Sequence, residues 1–502
     1  MPDRFRRLSL LGAGLLLLAA ATAGAQTYLD LEGKVQEFTL PNGVKFLVLE
    51  NHDVPVFSYR TFVNVGSANE TRGITGLTHI LEHMAFKGTA EIGTSDYRAE
   101  LKAMAAEDAA FAALKTERLK GADADTARLA ALEKAFTAAK DAARAFVVTN
   151  EFGRIVEVNG GQGLNASTSN DVTMYLYSFP SNRLELWAYL EGARMSQPVF
   201  REFYTEKDGP VTEERRMRTD NNPIGRLIEQ FENLMFMANG YHHSTIGYLS
   251  DLQNVSRAEC DAYFRRNYIG PNIVVAIVGD VKFADVQKYA RKYFAAIPAG
   301  QPDPVETLEP KQLGEKRMVL QDPSQPVYAA GYHIGNIRSR DWPVYQVLAG
   351  VLGQGRTSRL YKSLVKKDNV AVQTMAFAGF PGQKFDTGLL VVGIPTKGKT
   401  GADVEKAIDA EIERLVKDGI TADELAAVKQ RSRADFIRGL DGNGGMAEQL
   451  GFYQTFMGDW RRLFDEMARI DAVTLEDVGR VAAEIFVPTN RTVAIIETED
   501  DS

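Results

Sequence analysis

"SRAECDAYFRRNYIGPNIVVAIVGDV" (256–281) and "TLEDVGRVAAEIFVPTNRTVAIIETE" (474–499) align without a gap, 218 residues apart. Ser256 with Glu259, and Thr474 with Asp477, each read as a helix N-cap with an acidic residue three positions on. Each helix runs to an aromatic, Tyr268 or Phe486, then a turn holding Pro and Asn. A β-branched strand follows, with Val-Ala-Ile at 275–277 and again at 493–495. A helix, turn and strand written twice in one order predict two copies of one α+β unit.

Working outward, the first copy spans 35–300 and the second 316–498, joined by a Pro-rich connection at 301–315. "VQEFTLPNGVKFLVLENH" (35–52) alternates around Asn42-Gly43, a hairpin signal. One stretch has no counterpart. Residues 97–147 are rich in Ala, Lys, Glu and Asp and break at "KGADAD" (120–125). They read as a helical hairpin inserted into the first copy, a solvated spacer rather than a partner-binding arm.

The 502 residues suffice for two cores, and 25% charged with 45% hydrophobic residues is ordinary for a soluble globular protein. A formal net charge of −8 and the lack of a basic stripe speak against a nucleic-acid partner. Residues 1–25 read as a secretory signal: Arg4, Arg6 and Arg7, a short apolar run, then Ala23-Gly24-Ala25. That run is too short for a membrane span, and no later segment is long and apolar enough. The lone Cys260 excludes an intramolecular disulfide. A Gram-negative periplasm is the expected location, with secretion beyond the cell as the alternative.

"HILEH" (79–83) carries the chemistry. On a helix, His83 lies about 40° round from His79 and Glu82 about 60° the other way. Two imidazoles one turn apart can reach one Zn²⁺ at about 2.0–2.1 Å. Glu82 then stands beside the metal, where it can take a proton from water whose pKa the zinc lowers to about 7.

The H-x-x-E-H order resembles the inverzincin peptidases of the pitrilysin/insulinase group. "YHHSTIGYLSDLQNVS" (241–256) and "NASTSNDVTMYLY" (165–177) are similar to other parts of the same family pattern. The resemblance covers essentially the whole chain after residue 25. It implies the fold of mitochondrial processing peptidase-like metallopeptidases, two repeats of mostly antiparallel sheet flanked by helices. It also implies one Zn²⁺ per chain, held by His79 and His83, with Glu82 as general base. A third ligand is expected from a glutamate on a later helix, in "FYTEKDGPVTEERRMRTDNNP" (203–223). Counting seven from Glu206 reaches Glu213; aligning "EERRMRTD" with the family block reaches Glu214, the preferred ligand, with one residue added at Gly209-Pro210. Glu206 then resembles a group behind the metal or an acid/base. Asn165 and Ala166 resemble the edge strand that pairs with a bound peptide.

The sequence departs from the pattern in its second copy. The Arg and Tyr that help hold substrate in the family fall on Val365 and Val372, and Arg359 and Tyr361 are out of register. The second copy therefore reads as a non-catalytic, peptidase-like domain. The expected function is an exported zinc endopeptidase acting on peptides or unfolded polypeptides; the alternative is a non-catalytic assembly or scaffold subunit. A homologous subunit supplying the Arg/Tyr pair is the expected partner in a heterodimer, with a homodimer as the alternative.

Overall fold

The computed structural model describes residues 31–304 and 307–498. The expected export signal lies outside the described residues. The strands form two sheets. In the first, β1 (Gln36–Thr39), β2 (Lys45–Glu50), β3 (Val56–Val63), β4 (Gln162–Thr168), β5 (Thr173–Pro180) and β6 (Ile273–Gly279) run in the order β1-β2-β6-β3-β5-β4. In the second, β7 (Lys316–Asp322), β8 (Val327–Ile334), β9 (Ala371–Phe380), β10 (Thr387–Pro395) and β11 (Arg491–Thr498) run in the order β7-β11-β8-β10-β9. Without β1 the orders coincide. Each sheet has one parallel pair, β2/β6 and β7/β11, in an otherwise antiparallel ladder. The fold is two α+β repeats.

The repeated phrase forms what its pattern predicts. Helices Arg257–Asn267 and Leu475–Ile485 both begin with a reciprocal capping box, Ser256/Glu259 and Thr474/Asp477, and both lead through a short turn into a strand. In the β1–β2 hairpin Thr39 pairs with Lys45, and Gly43 at φ 98° supplies the left-handed residue the turn requires.

The core departs from a picture of two self-contained halves. One face of the first sheet packs on its own helices through Phe46, Val48, Tyr59, Tyr177 and Ile277. Its other face, with Leu47, Phe62, Val274 and Ala276, packs on helix Gly442–Met457 of the second half. Reciprocally, Leu227, Phe231 and Met235 of helix Pro223–Met235 cover Ala329, Leu390 and Ala494 of the second sheet. Glycines allow the close approach: a Cβ on Gly451 would meet the Phe62 ring, and one on Gly331 would meet Phe231 and Met235. Each half thus lends a helix to the other.

The inserted segment folds as helices Tyr97–Arg118 and Thr126–Arg144. The second is largely exposed, but the first is no solvated spacer: its Glu100, Glu107 and Glu117 are buried. Glu100 pairs with Arg201 at 2.8 Å, and Glu107 with Arg257. Charges that look solvated in the sequence are used here to dock the helix.

Candidate metal centre

The motif helix, Leu77–Met84, is short and held at its start by a buried carboxylate. Gly76 and Thr78 donate their backbone N–H groups to Glu70 at 2.7 and 2.6 Å, which satisfies two donors that a helix N-terminus leaves open. Leu77, Ile80, Leu81 and Met84 face the core, so His79, Glu82 and His83 are left on the remaining face. The imidazoles of His79 and His83 are 4.8 Å apart, nearly perpendicular.

A second helix, 203–220, faces them. It is α-helical at Phe203–Glu206 and Thr212–Arg215, with π-type turns at Lys207–Val211 and Arg216–Asp220. The i→i+5 bonding of a π-turn takes up one extra residue. In an uninterrupted α-helix, seven residues are roughly two turns; with one π-turn between, eight residues return to the same face. Pro210 lies in that turn and cannot donate to a carbonyl, while the Thr212 hydroxyl donates to the Lys207 carbonyl at 2.8 Å. This is why Glu206 and Glu214, eight apart, both look toward the motif helix. Glu213 points outward, 57% exposed, and pairs with Arg216.

Glu214 Oε2 lies 3.4 Å from His79 Nε2 and 3.5 Å from His83 Nε2. One donor atom from each of His79, His83 and Glu214 falls within 4.8 Å of the others, and among the described residues no other such group forms. Glu206 accepts from His83 Nδ1 at 3.0 Å and from Lys87 at 2.6 Å, which leaves His83 Nε2 directed at Glu214. Glu82 Oε2 accepts from the Thr168 hydroxyl at 2.8 Å. The Nδ1 of His79 is buried without a hydrogen-bond partner among the described residues.

The electrostatics follow from these contacts. The hydrogen bond to His79 holds the Glu214 carboxyl down at about 2 against the opposing effect of burial, helped by the charges of His79, Arg218 and His83. Burial raises the Glu206 carboxyl, but His83 and Lys87 outweigh it and keep it below the usual range. Burial likewise disfavours the His83 cation, and Glu206, Glu82 and Glu214 together reverse that and raise it. Two imidazoles and an ionised carboxylate converging on one point are a donor set that fits Zn²⁺, whose catalytic sites use three protein ligands and an open position.

Asn165 and Ala166 lie on β4, the edge strand of the first sheet, opposite Leu176 and Tyr175 of β5. Among the described residues nothing pairs with the outer edge of β4. Val365 packs against the second core and Val372 lies exposed on β9, the corresponding edge of the second sheet; Arg359 is bound to Glu424 at 2.7 Å. His242 bonds the Asn239 carbonyl, His243 is buried and pushed down to about 4 by burial, His52 pairs with Asp280, and Phe236 packs on His333. None of the four joins the cluster. Reading the sequence missed Thr168, although it lies within the quoted "NASTSN", and Lys87, which lies in the turn just past the end of the motif helix.

Two family models match the chain: "Insulinase (Peptidase family M16)" over residues 45–119 and "Peptidase M16 inactive domain" over 254–432. The zinc protease PqqE of Helicobacter pylori is 29% identical over 501 residues, 98% of each chain. A crystal structure of a protease from Helicobacter pylori superposes with a TM-score of 0.76 at 26% identity, over 92% of this chain and 99% of that one. The periplasmic protease PqqL of Escherichia coli shares the fold with a TM-score of 0.67 at 14% identity; the match takes in 93% of this chain but 48% of that one. Among the described residues no helix is long and apolar enough to cross a membrane.

Proposed function

We propose, from the premise that this chain's homologues are zinc proteases of the M16 family, that it is itself an exported zinc endopeptidase cleaving peptides or unfolded polypeptides. The observation that carries this reading is the convergence of His79, His83 and Glu214 with Glu82 beside them. These three residues would hold the metal, with Glu206 behind His83. A bound zinc supplies Lewis-acid polarisation of the scissile carbonyl and lowers the pKa of water toward 7.

The chain's own side chains do the rest. Glu82 takes the proton from the attacking water and gives it to the leaving amine. The Thr168 hydroxyl holds that carboxylate at one oxygen, and the other has no hydrogen-bond partner among the described residues. Thr168 belongs to β4, whose open edge would receive an extended substrate beside Asn165 and Ala166. One strand would therefore set both the base and the peptide.

The M16 inactive-domain match begins after the motif helix and the glutamate helix, consistent with hydrolysis confined to the first half. Full activity then calls for a second, homologous subunit that donates the Arg/Tyr pair absent at Val365 and Val372, since one oxyanion donor is worth about 10²–10³ in rate. That a two-repeat chain matches about half of PqqL supports an assembly of two such chains.

The test is hydrolysis of a fluorogenic unfolded peptide by the purified chain, with and without its exported homologues. Chelation should abolish turnover, about one equivalent of Zn²⁺ should restore it, and a homologue should raise it. Zinc-independent turnover would refute the reading, and absence of turnover with every homologue would favour a scaffold subunit.

A further inference from the structure

We propose that the inserted helical hairpin is a positioning device for the metal centre, setting Glu206, and through it His83, by clamping the start of the glutamate helix. This inference rests on the metal site proposed above.

The segment 201–208 lies between the hairpin and the motif helix, and its side chains divide between the two. Toward the hairpin, Arg201 Nε donates to Glu100 at 2.8 Å, and the Tyr204 hydroxyl donates to Asp108 at 2.9 Å. The Tyr204 ring packs on Phe111 and Phe136 at 4.4 and 5.2 Å, and the buried Lys207 ammonium lies 5.1 Å over Phe111. Toward the motif helix, Glu202 and Glu206 share Lys87 at 3.3 and 2.6 Å, and Glu206 accepts from His83. Arg144, the last residue of the hairpin's second helix, approaches Glu202 at 3.6 Å.

Arg201 ties the two sides together. Its guanidinium also donates to the carbonyls of Lys87, Thr89 and Ile92, the turn that follows the motif helix. Arg201 and Glu100 are each 1% exposed, so water cannot replace either partner. Carboxylates that orient a metal-binding His typically affect metal affinity by about 10–100-fold. A hairpin that fixes Arg201 and Tyr204, five and two residues before Glu206, acts on that same term. Lys87 is the positioning residue on the motif side.

The experiment is a double-mutant cycle read by Zn²⁺ affinity against a competing chelator, in the full chain. Glu100→Gln with Asp108→Asn removes the two hairpin carboxylates without changing shape; Lys87→Met removes the anchor on the other side. Each should weaken zinc about tenfold, and each effect should vanish in a Glu206→Gln background. Far-ultraviolet circular dichroism and the Tm identify any variant that has unfolded, in which case Tyr204→Phe replaces the hairpin pair and should weaken zinc by a smaller factor with the same dependence on Glu206. Losses equal in the presence and absence of Glu206, or no loss on either side, would overturn the proposal. A wild-type chain that binds no zinc would overturn the metal site itself, a result distinguishable from an additive cycle.

Discussion

The motif helix, Leu77–Met84, and helix Trp342–Gly353 follow equivalent strands, β3 and β8, and each packs on the edge strand of its sheet. In the second half every residue of that helix except Gln346 is buried. It presents Gly350 to Val428 of helix Ala422–Gly439, so closely that a Cβ would lie 2.9 Å from a Val428 methyl. In the first half the corresponding meeting of helices brings His79 and His83 to Glu214. One scaffold fills the meeting point with aliphatic packing, and the other lines it with two imidazoles and a carboxylate. The fold is shared, so the chemistry has to reside in a few side chains and in the helix phase that aims them.

The exchanged helices pack each half against the other, which should make the two unfold together, and this aspect of the comparison carries the largest expected effect. Phe231→Ala, on a first-half helix seated against the second sheet, should cost about 3–5 kcal/mol. Thermal unfolding followed by near- and far-ultraviolet circular dichroism should still show one transition. Two separated transitions would mean that the halves unfold independently and that the exchange does not couple them.

Next comes the phase of the glutamate helix. Glu214→Gln should weaken zinc by about 100-fold or more, beyond what outer carboxylates contribute, while Glu213→Gln, exposed and paired with Arg216, should change it little. Chelator competition on the two variants measures this. The reverse ranking would place the π-turn elsewhere and restore the count of seven from Glu206.

The smallest effect distinguishes the two exchanged helices. Glu232, on Pro223–Met235, is buried, and its Oε2 lacks a partner among the described residues; helix Gly442–Met457 buries no carboxylate. Burial, with the nearby charge of Glu229, raises Glu232 to about 8. A carboxyl raised in the folded state leaves that state holding more protons than the unfolded chain. Its contribution to stability is therefore lost as pH rises from the unfolded value toward about 8. Glu232→Gln should flatten this slope and stabilise the chain at pH 8 by about 1–3 kcal/mol. Urea denaturation at pH 5 and pH 8 gives the slope, and an unchanged one would show that Glu232 is ionised and solvated.

Much of this comparison is legible in the residues. The repeated phrase declares two copies because capping boxes and β-branched strands are local signals, and H-x-x-E-H declares its face because helical spacing is local too. Glu214 was harder to separate from Glu213. A count of seven presumes an unbroken α-helix; the block alignment points to an extra residue at Gly209-Pro210, and the π-turn over Lys207–Val211 is the backbone arrangement that takes it up. The docking of Glu100 and Glu107 was hidden for another reason: their partners Arg201 and Arg257 lie 101 and 150 residues away. The helix exchange is equally long-range, and no pattern within either half announces it.

The central claim is that the first half holds a metal and hydrolyses peptides through separable groups. Its most direct test measures zinc per chain and peptide turnover on the same preparations of wild type, Glu82→Gln and His79→Ala, each with any activating homologue present. The account predicts about one zinc and no turnover for Glu82→Gln, because the amide keeps the ligands but cannot take a proton. It predicts neither zinc nor turnover for His79→Ala. Substantial turnover by Glu82→Gln, or full zinc occupancy in His79→Ala, would contradict it.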